Sequence, residues 1–597
     1  MQRVNVRVYY PPLYPLSAYG EPRKVLGRGA FGEVYQYCIQ SCTKETSVAV
    51  KHSIDKDLKD VIEESLLHEV VALMRMRHPN IVQLVDVALE DNEYMLILPL
   101  AGGSLEDYAA ILSPRSPLAA GNPNKQLTVE HVGIVMYQLV RALAYLEGVD
   151  VRHRDIKPAN VLFYEEQCNG RNNIRVVLSD FGLSRVGLCA HADEPIAIVG
   201  TSIYHSPELW LGGQYTRSSE TWALGCIAYE LLTRDYVAPG NPDYLDPYDP
   251  YHLKAIIRLR GLPAEYDWPI MRRLPHWNAE LMKVRHDPSL MARVSPIIRP
   301  VVEKMLQVVP MYRPTGAQLV YDSTWDAFGK DWVETCTPAP ETKQLDCEQE
   351  TIANTEGPSL YRPKGMTPEI RLTMVELVDT LVFESKGDLR ASFLALTILD
   401  RYLERNKEFD VRRHDIITLA THVCVYLARQ LVNETAFITL DSPVMVDVLN
   451  TFGIDNFKAA EISILRTLKF DIMVSTAYDI VGARSSYTKT NVIEIAELFL
   501  RVAARGMLVY KAGLQDVADL CMIMACAYTG EPCRGDIRYL SHRLDKYKKT
   551  FYEGVRLILH NPQSFSRLAT STGRLIDVLI KMPEARAYFG TTLTDFS

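Results

Sequence analysis

At 597 residues the chain is longer than one hydrophobic core usually supports, so several domains are expected. Hydrophobic residues make up 47% and charged residues 23%, which is a globular composition. The net charge of -8 gives no reason to expect binding to nucleic acid or to anionic lipid.

The cellular compartment is constrained by cysteine usage and by the N-terminal residues. The eleven cysteines form no CxxC pair and no Cys/His cluster with zinc spacing, so free thiols in a reducing compartment are expected. Residues 1–16 lack the unbroken apolar core of a signal peptide, and no apolar run reaches the roughly 18 residues of a membrane span. We expect an intracellular protein of the nucleus or cytoplasm, neither secreted nor membrane-bound.

The first part of the chain reads as a small sheet with one helix. Short β-rich runs alternate with turns up to about Ile54, which predicts an antiparallel sheet. Apolar residues recur at helical spacing between Val61 and Met76, and His78-Pro79-Asn80 ends that helix before another strand pair. Beyond Leu127 the pattern is mostly helical.

A glycine-rich loop lies between the first two predicted strands. Gly27, Gly29 and Gly32 form GxGxxG, which alone is a weak signal because dinucleotide-binding folds share it. Here Val34 and a second strand follow instead of a helix, which suits a flap whose backbone amides close over nucleotide phosphates. A plain glycine-rich hairpin is the alternative.

A lysine and a glutamate form the next candidate pair. Lys51 ends the strand motif VAVK, where its charge would hold the phosphates of ATP. Glu69 lies on the following helix and is the best-placed carboxylate to fix Lys51. The alternative is a solvated helix glutamate, but Leu66 and Val70 indicate a packed face beside it.

The most specific signal is HRDIKPANVL, residues 153–162. Asp155 would accept the proton of a substrate hydroxyl, Lys157 would steady the transferring phosphoryl group, and Asn160 would bind Mg²⁺. Two β-like runs later, Asp180 of the DFG motif would bridge Mg²⁺ to the nucleotide phosphates. Glu208 of a later SPE motif is expected to form a buried ion pair with Arg313.

Together these motifs resemble the eukaryotic protein kinase family across residues 20–330. The resemblance implies a bilobal α+β fold that uses ATP and Mg²⁺, and Lys157 and Thr201 match its serine/threonine branch. Protein serine and threonine side chains are therefore the expected acceptors. It implies an ATP-binding set, a catalytic set and a metal-binding set: Leu26, Gly27, Gly29, Gly32, Val34, Ala49 and Lys51; Asp155, Lys157, Lys51, Glu69 and Thr201; Asn160 and Asp180.

Within that family the chain is similar to cyclin-dependent kinases, through RHPNIVQLVDV, DFGLSR and GLPAEYDWP. Ala30 and Phe31 stand where many of those kinases carry a threonine and a tyrosine whose phosphorylation blocks ATP, so that switch is expected to be absent. His205 replaces an arginine tied to the pocket for proline after the acceptor, which puts proline-directed specificity in doubt. Glu220 replaces an aspartate that braces the catalytic loop.

The activating phosphorylation site of that group is also replaced. Its threonine falls at Ile196, which cannot be phosphorylated, whereas Arg154 and Arg185, which would bind the phosphate, remain. We hypothesise that Asp193 and Glu194 satisfy these arginines, because a carboxylate offers the same bidentate geometry at lower charge.

The second half reads as all-α. Residues 331–366 are poor in large apolar residues and predict a flexible linker. Three helical segments within 371–472, including LDRYL and LKFDI, resemble the cyclin box, and Arg371 with Asp400 matches a charged pair that braces that fold. Any helical bundle is the alternative. The expected division is an N-terminal extension, a kinase domain, a linker, a cyclin box, and a degenerate second cyclin-like repeat with a C-terminal tail: 1–19, 20–330, 331–366, 367–480 and 481–597.

The resemblances imply a serine/threonine kinase that carries its own activating subunit, in cell-cycle or transcription control. Expected partners are protein substrates and the cyclin-like domain in cis, with other cell-cycle proteins as further candidates; nucleic acid and membranes are not expected. One alternative is a kinase-fold scaffold that transfers no phosphate. Another is a cyclin-like half that binds a separate kinase or transcription machinery.

Overall fold

The computed structural model of the chain contains two compact units, Met1–Glu350 and Thr351–Ser597. The predicted linker lies outside the described residues except at 363, 365 and 366, and so do the predictions for Ala30, Phe31, Asp193, Glu194 and Ile196. The structure describes these residues: 11–29, 32–40, 45–52, 62–90, 93–111, 128–168, 171–186, 201–239, 251–328, 363, 365–406, 409–432, 442–483, 488–532, 541–560 and 572–589.

The first unit begins with a five-stranded antiparallel sheet in the order β1-β2-β3-β5-β4. Its strands are β1 (Glu21–Gly29), β2 (Gly32–Gln40), β3 (Glu45–His52), β4 (Asp86–Glu90) and β5 (Glu93–Pro99).

One helix, α1 (Glu64–Leu73), lies between β3 and β4 in the chain, as the apolar spacing predicts. It is shorter than that pattern. Met74 and Met76 are fully buried, but the backbone amide of Met76 bonds to the carbonyl of Leu73, three residues back, so the chain leaves the helix while its apolar side chains stay in the core.

The segment before β1 packs onto this sheet. The backbone amides of Leu13 and Tyr14 donate to the Asp86 carboxylate at 2.6 and 2.9 Å, and the Tyr19 hydroxyl donates to it at 2.6 Å. Leu16 and Tyr19 are buried in a cluster on the sheet. The sequence predicts an N-terminal extension at residues 1–19, and residues 11–19 of it pack on the sheet of the first unit. The other buried members of the cluster are Tyr37, Val48, Val50, Ala88, Met95 and Ile97.

The rest of the first unit is mainly helical, with two small sheets. One sheet has the order β6-β8-β9 and the other pairs β7 with β10. Their strands are β6 (Gly103–Ser104), β7 (Val151–Arg152), β8 (Val161–Cys168), β9 (Arg171–Leu178) and β10 (Arg185–Val186). The helices are α2 (Leu105–Ile111), α3 (Val129–Gly148), α4 (Pro207–Trp210), α5 (Arg217–Thr233), α6 (Tyr251–Arg260), α7 (Pro288–Ala292), α8 (Arg299–Met305) and α9 (Gly316–Leu319).

A buried ion pair ties this helical region together. Arg313 Nη1 donates to Glu208 Oε1 at 2.7 Å, and its second nitrogen bonds the other carboxylate oxygen. The predicted pairing is confirmed. The guanidinium also lies over the ring of Trp222, which is fully buried, so charge and packing fix the start of α4 against α5.

The second unit is all-α over the residues that the structure describes. Arg371 Nη2 donates to Asp400 Oδ2 at 2.9 Å, which confirms the predicted pair, and the Tyr510 hydroxyl donates to Asp400 at 2.7 Å. Two helices follow His560, where the sequence predicted a tail. The helices are α10 (Pro368–Glu384), α11 (Leu389–Arg405), α12 (His414–Val432), α13 (Pro443–Phe452), α14 (Ile454–Thr467), α15 (Ala477–Gly482), α16 (Thr490–Arg505), α17 (Leu514–Thr529), α18 (Ser541–His560), α19 (Thr572–Lys581) and α20 (Pro583–Phe589).

This arrangement confirms the predicted fold class, a bilobal α+β unit followed by an all-α unit. Among the described residues, α12 alone is long and apolar enough to cross a membrane. Most of its apolar stretch is buried inside the protein, as in the core helix of a helical domain.

Candidate active site

Lys51 lies at the centre of the nucleotide side of the site. It lies on β3, opposite Val34 of β2. Ala49 is two residues earlier in β3, so Ala49 and Lys51 are on the same face of the strand. Its ammonium group lies 2.7 Å from Glu69 Oε2 and 2.8 Å from Asp180 Oδ1. Burial alone would lower the pKa of Lys51, but the two carboxylates outweigh it and raise the pKa. The site therefore holds a charged lysine.

The glycine-rich loop closes the β1–β2 hairpin. Gly29 of β1 pairs with Gly32 of β2, and Leu26, which is also in β1, is 40% exposed. Gly32 has a φ of +149°, and a Cβ there would lie 2.2 Å from the carbonyl oxygen of His52. Only glycine fits that position, so the backbone comes closer to β3 than any side chain allows. Gly27 has open space where a Cβ would point.

Asp155 collects the predicted catalytic side chains around one carboxylate. It accepts hydrogen bonds from the Thr201 amide at 2.9 Å, the Thr201 hydroxyl at 3.1 Å and Asn160 Nδ2 at 2.9 Å. Lys157 Nζ lies 2.7 Å from Asp155 Oδ2 and donates to the Thr201 hydroxyl at 2.8 Å. A hydroxyl group can thus reach this carboxylate, with a cation beside it.

Asp180 and Asn160 are suited to a divalent cation. The Lys51 charge holds the pKa of Asp180 below its ordinary value although burial opposes this, so the carboxylate is ionised. The nitrogen of Asn160 donates to Asp155, which leaves its amide oxygen for other ligands. A carboxylate and an amide oxygen are ligands that Mg²⁺ accepts, with phosphate oxygens and water completing its shell. The described residues contain no group of three or more His, Cys, Asp or Glu side chains that would form a separate metal cage.

Asp180 and Arg154 both have backbone conformations that favour glycine. Their φ angles are +63° and +72°. A left-handed conformation at a non-glycine residue costs of order 1 kcal/mol and persists where the surroundings impose it. The strain falls on the DFG aspartate and on the residue that precedes Asp155.

Two buried side chains, His153 and Glu220, accept hydrogen bonds from the backbone of the loop that carries Asp155. His153 accepts the Asp155 amide at Nδ1 and donates from Nε2 to the Ser179 carbonyl at 2.9 Å. Burial lowers its pKa, so the ring is neutral. Glu220, which has no exposed surface, accepts the backbone amides of His153 and Arg154 through Oε1. Burial raises the pKa of Glu220 to about 7.

The segment after Thr201 is held by aromatic and acidic side chains. The Tyr204 hydroxyl donates to Glu230 Oε2 at 2.8 Å, and burial raises the pKa of Glu230. His205, the residue in place of the arginine, is buried beside the ring of Trp210, with their centroids 5.8 Å apart. The aromatic contact gives this histidine a packing role.

Sequence reasoning missed one contact near the site. Glu64, in the first turn of α1, lies 3.3 Å from His68 Nε2 and 3.6 Å from Arg185 Nη2. The i, i+4 spacing of Glu64 and His68 was visible in the sequence. The contact with Arg185 was not, because it depends on how β10 folds back beside α1.

Comparison with known proteins matches both halves of the chain. The protein kinase domain family matches residues 21–325, and the cyclin N-terminal domain family matches residues 344–473.

Cyclin-dependent kinase 10 of Mus musculus is 33% identical over 252 residues, which are 42% of this chain and 63% of that protein. Cyclin-dependent kinase 8 of Drosophila melanogaster is 30% identical over 260 residues, 42% of this chain and 55% of that protein. Cyclin-dependent kinase 10 of Rattus norvegicus is 30% identical over 316 residues, 52% of this chain and 80% of that protein. The chain thus spans less than two thirds of the first two relatives.

Proposed function

Because this chain belongs to the protein kinase family, in its cyclin-dependent kinase group, and joins that domain to a cyclin domain, we propose that it is a serine/threonine kinase that phosphorylates proteins. The observation that supports this most is the convergence of Lys51 and Asp180 at 2.8 Å with Asp155 and Thr201 at 2.9 Å. Lys51 with Asp180 provides a group that can hold a nucleotide, and Asp155 provides a proton acceptor for a substrate hydroxyl.

The residues divide the reaction between them. Asn160 and Asp180 would hold Mg²⁺, which would offset the charge on the phosphates of bound ATP, the donor of the γ-phosphoryl group. Lys51 fixes the nucleotide end of the site, and Asp155 orients the substrate hydroxyl and accepts its proton. Lys157, beside Asp155, offsets the negative charge that develops during transfer.

The proposal is tested by transfer of radiolabelled phosphate to histone H1 and to a generic basic protein. Asp155→Asn should lower transfer by about a hundredfold or more, because the proton acceptor is lost. Asp150→Asn is the matched control: Asp150 pairs with Arg217 on the surface, away from the reacting atoms, so its activity should stay at the wild-type level. Equal transfer by wild type and Asp155→Asn would reject the assigned role. Absence of transfer by all three would favour the scaffold alternative.

We further propose that the cyclin-like unit activates the kinase in cis. A linker of about 36 residues has a root-mean-square span of roughly 30 Å, so docking within one chain is sterically feasible. The effective concentration is then on the order of 1 mM, enough to keep a micromolar contact occupied. The cyclin-like unit would hold α1 inward so that Lys51 and Glu69 stay paired.

Removal of residues 367–597 tests this activation. We expect transfer to fall by at least about tenfold and to recover when the separate cyclin-like unit is added at high concentration. A truncated kinase as active as the whole chain would reject activation in cis. Capture of a second kinase by the cyclin-like unit would favour the partner alternative.

Cell-cycle or transcription control inside the cell is the setting that we propose for this activity. It follows from the match to cyclin-dependent kinases and to the cyclin domain. Imaging of the tagged full chain tests the location, and accumulation outside the nucleus and cytoplasm would contradict it.

A further inference from the structure

Three side chains connect α1 to the short strand β10. The Glu64 carboxylate lies 3.3 Å from His68 Nε2 and 3.6 Å from Arg185 Nη2, and the imidazole and guanidinium nitrogens are themselves 3.4 Å apart. The His68 and Arg185 side chains are 5% and 10% exposed, and that of Glu64 is 24% exposed. This cluster, Glu64-His68-Arg185, is largely shielded from water.

Charge explains why the carboxylate matters in this cluster. A guanidinium that is nearly buried is costly unless an anion lies close to it. His68 Nε2 also faces Arg185, so the Glu64 carboxylate lies beside both groups, where its charge offsets that of the guanidinium. A carboxylate in the first turn of a helix is in addition favoured by the helix dipole.

The cluster joins two elements that carry catalytic groups. On one side, α1 carries Glu69, which follows His68 directly and binds Lys51. On the other, Arg185 pairs across the β7–β10 ladder with Arg152, the residue before the catalytic loop begins at His153. A displacement of α1 away from β10 would therefore pull Glu69 away from Lys51.

We propose that Glu64 is a positioning residue for phosphoryl transfer, which acts through Arg185 to hold α1 against β10 and so keep Glu69 on Lys51. This inference rests on the proposed kinase function. The carboxylate that couples α1 to the catalytic loop is then Glu64, which belongs to α1 itself. Glu64 touches neither ATP nor substrate, and it is not a catalytic residue.

The test compares Glu64→Gln with Glu63→Gln in the full chain. Glu63 is the neighbouring carboxylate and accepts a hydrogen bond from Ser65, so it controls for loss of charge near the start of α1. Glu64→Gln should lower kcat by about tenfold with little change in the KM for peptide, since ordering of the site is lost while substrate contacts remain. Glu63→Gln should stay within about twofold of wild type.

A double-mutant cycle separates positioning from simple helix stabilisation. In an Arg185→Gln background, Glu64→Gln should cause no further loss, because the carboxylate has lost the group through which it acts. Additive losses would overturn the proposal, and so would a Glu64→Gln variant with wild-type kcat.

Hydrogen exchange of residues 64–73 gives a readout that does not need kinase activity. Glu64→Gln should speed exchange in α1 relative to Glu63→Gln, and Arg185→Gln should abolish that difference. If the wild-type chain transfers no phosphate but α1 responds in this way, the proposed function fails while the coupling stands. Unchanged exchange would overturn the coupling itself.

Discussion

At the scale of single residues, Glu220 is a buried carboxyl group that binds the backbone of the loop before Asp155. Its carboxyl group has no exposed surface, and one of its oxygens accepts the amides of His153 and Arg154 while Oε2 has no hydrogen-bond partner among the residues that the structure describes. Burial and Glu147 oppose the ionised form, whereas the backbone amides of His153 and Arg154 and the charge of Arg152 favour it. Burial dominates, and the pKa of Glu220 rises from 4.5 to about 7.

A pH dependence of stability follows from this shift. Because the folded state holds the proton more tightly than the unfolded state, the contribution of Glu220 to stability is fully present below pH 4.5. It is lost as pH rises through about 7. Between pH 5 and pH 8 the wild type should lose up to about 3 kcal/mol relative to Glu220→Gln. Urea unfolding of both proteins at the two pH values measures it, and parallel pH profiles would contradict the assignment.

The sequence predicted the neighbourhood of Lys51 well and that of Arg185 poorly. Lys51 and Glu69 were identified because each lies in a motif with a fixed place on a strand or helix, and their contact is present at 2.7 Å. Asp193 and Glu194 were proposed as partners of the arginines, and they lie outside the described residues. Glu64, which does contact Arg185, escaped notice because a helix start shows nothing of the strand that folds beside it.

At the scale of elements, the segment of residues 11–19 behaves as part of the first sheet. It is too short, and too rich in proline and tyrosine, to show a helical or strand period, so periodicity gives no sign of its packing. Its attachment is long-range: Tyr19 and Asp86 are 67 residues apart in the chain. Periodicity predicts which side chains share a face of one element, and it cannot predict a contact between segments so far apart in the chain.

Tyr19→Phe tests this attachment with the smallest change. The variant removes a hydroxyl that donates to a fully buried carboxylate, so the free energy of unfolding should fall by about 1 to 2 kcal/mol. The matched control is Tyr14→Phe, since Tyr14 is 41% exposed and its amide, which binds Asp86, is untouched. Chemical denaturation of the three proteins measures the difference. Equal losses in both variants would contradict the role of the buried hydrogen bond.

At the scale of the whole molecule, the chain joins a unit that matches the protein kinase domain family to a stretch that matches the cyclin N-terminal domain family. The class of each unit followed from motifs and from the change of period from strand to helix. The sequence predicts a degenerate second repeat and a C-terminal tail at 481–597, and the structure has two short helices, α19 and α20, at the end of that range.

The covalent connection predicts how activity responds to dilution. With a protease site inserted near residue 345, the uncut chain should keep constant activity per molecule from about 1 µM to about 1 nM, since its units meet at a fixed effective concentration. The cut chain should lose activity over the same range as the units separate. Kinase assays before and after cleavage measure this. A cut chain that is insensitive to dilution would show that the tether is not needed.

The hydrogen bonds from Leu13, Tyr14 and Tyr19 to Asp86 have a consequence for a chain that a protease has cut. A chain clipped between Tyr14 and Tyr19 would lose the backbone donors to a buried carboxylate and at the same time uncover the apolar site of Leu16. Both defects appear at the surface of the sheet that holds Lys51, so a cut in this segment exposes apolar surface on the first unit. Exposed surface of that kind is what chaperones and proteases recognise.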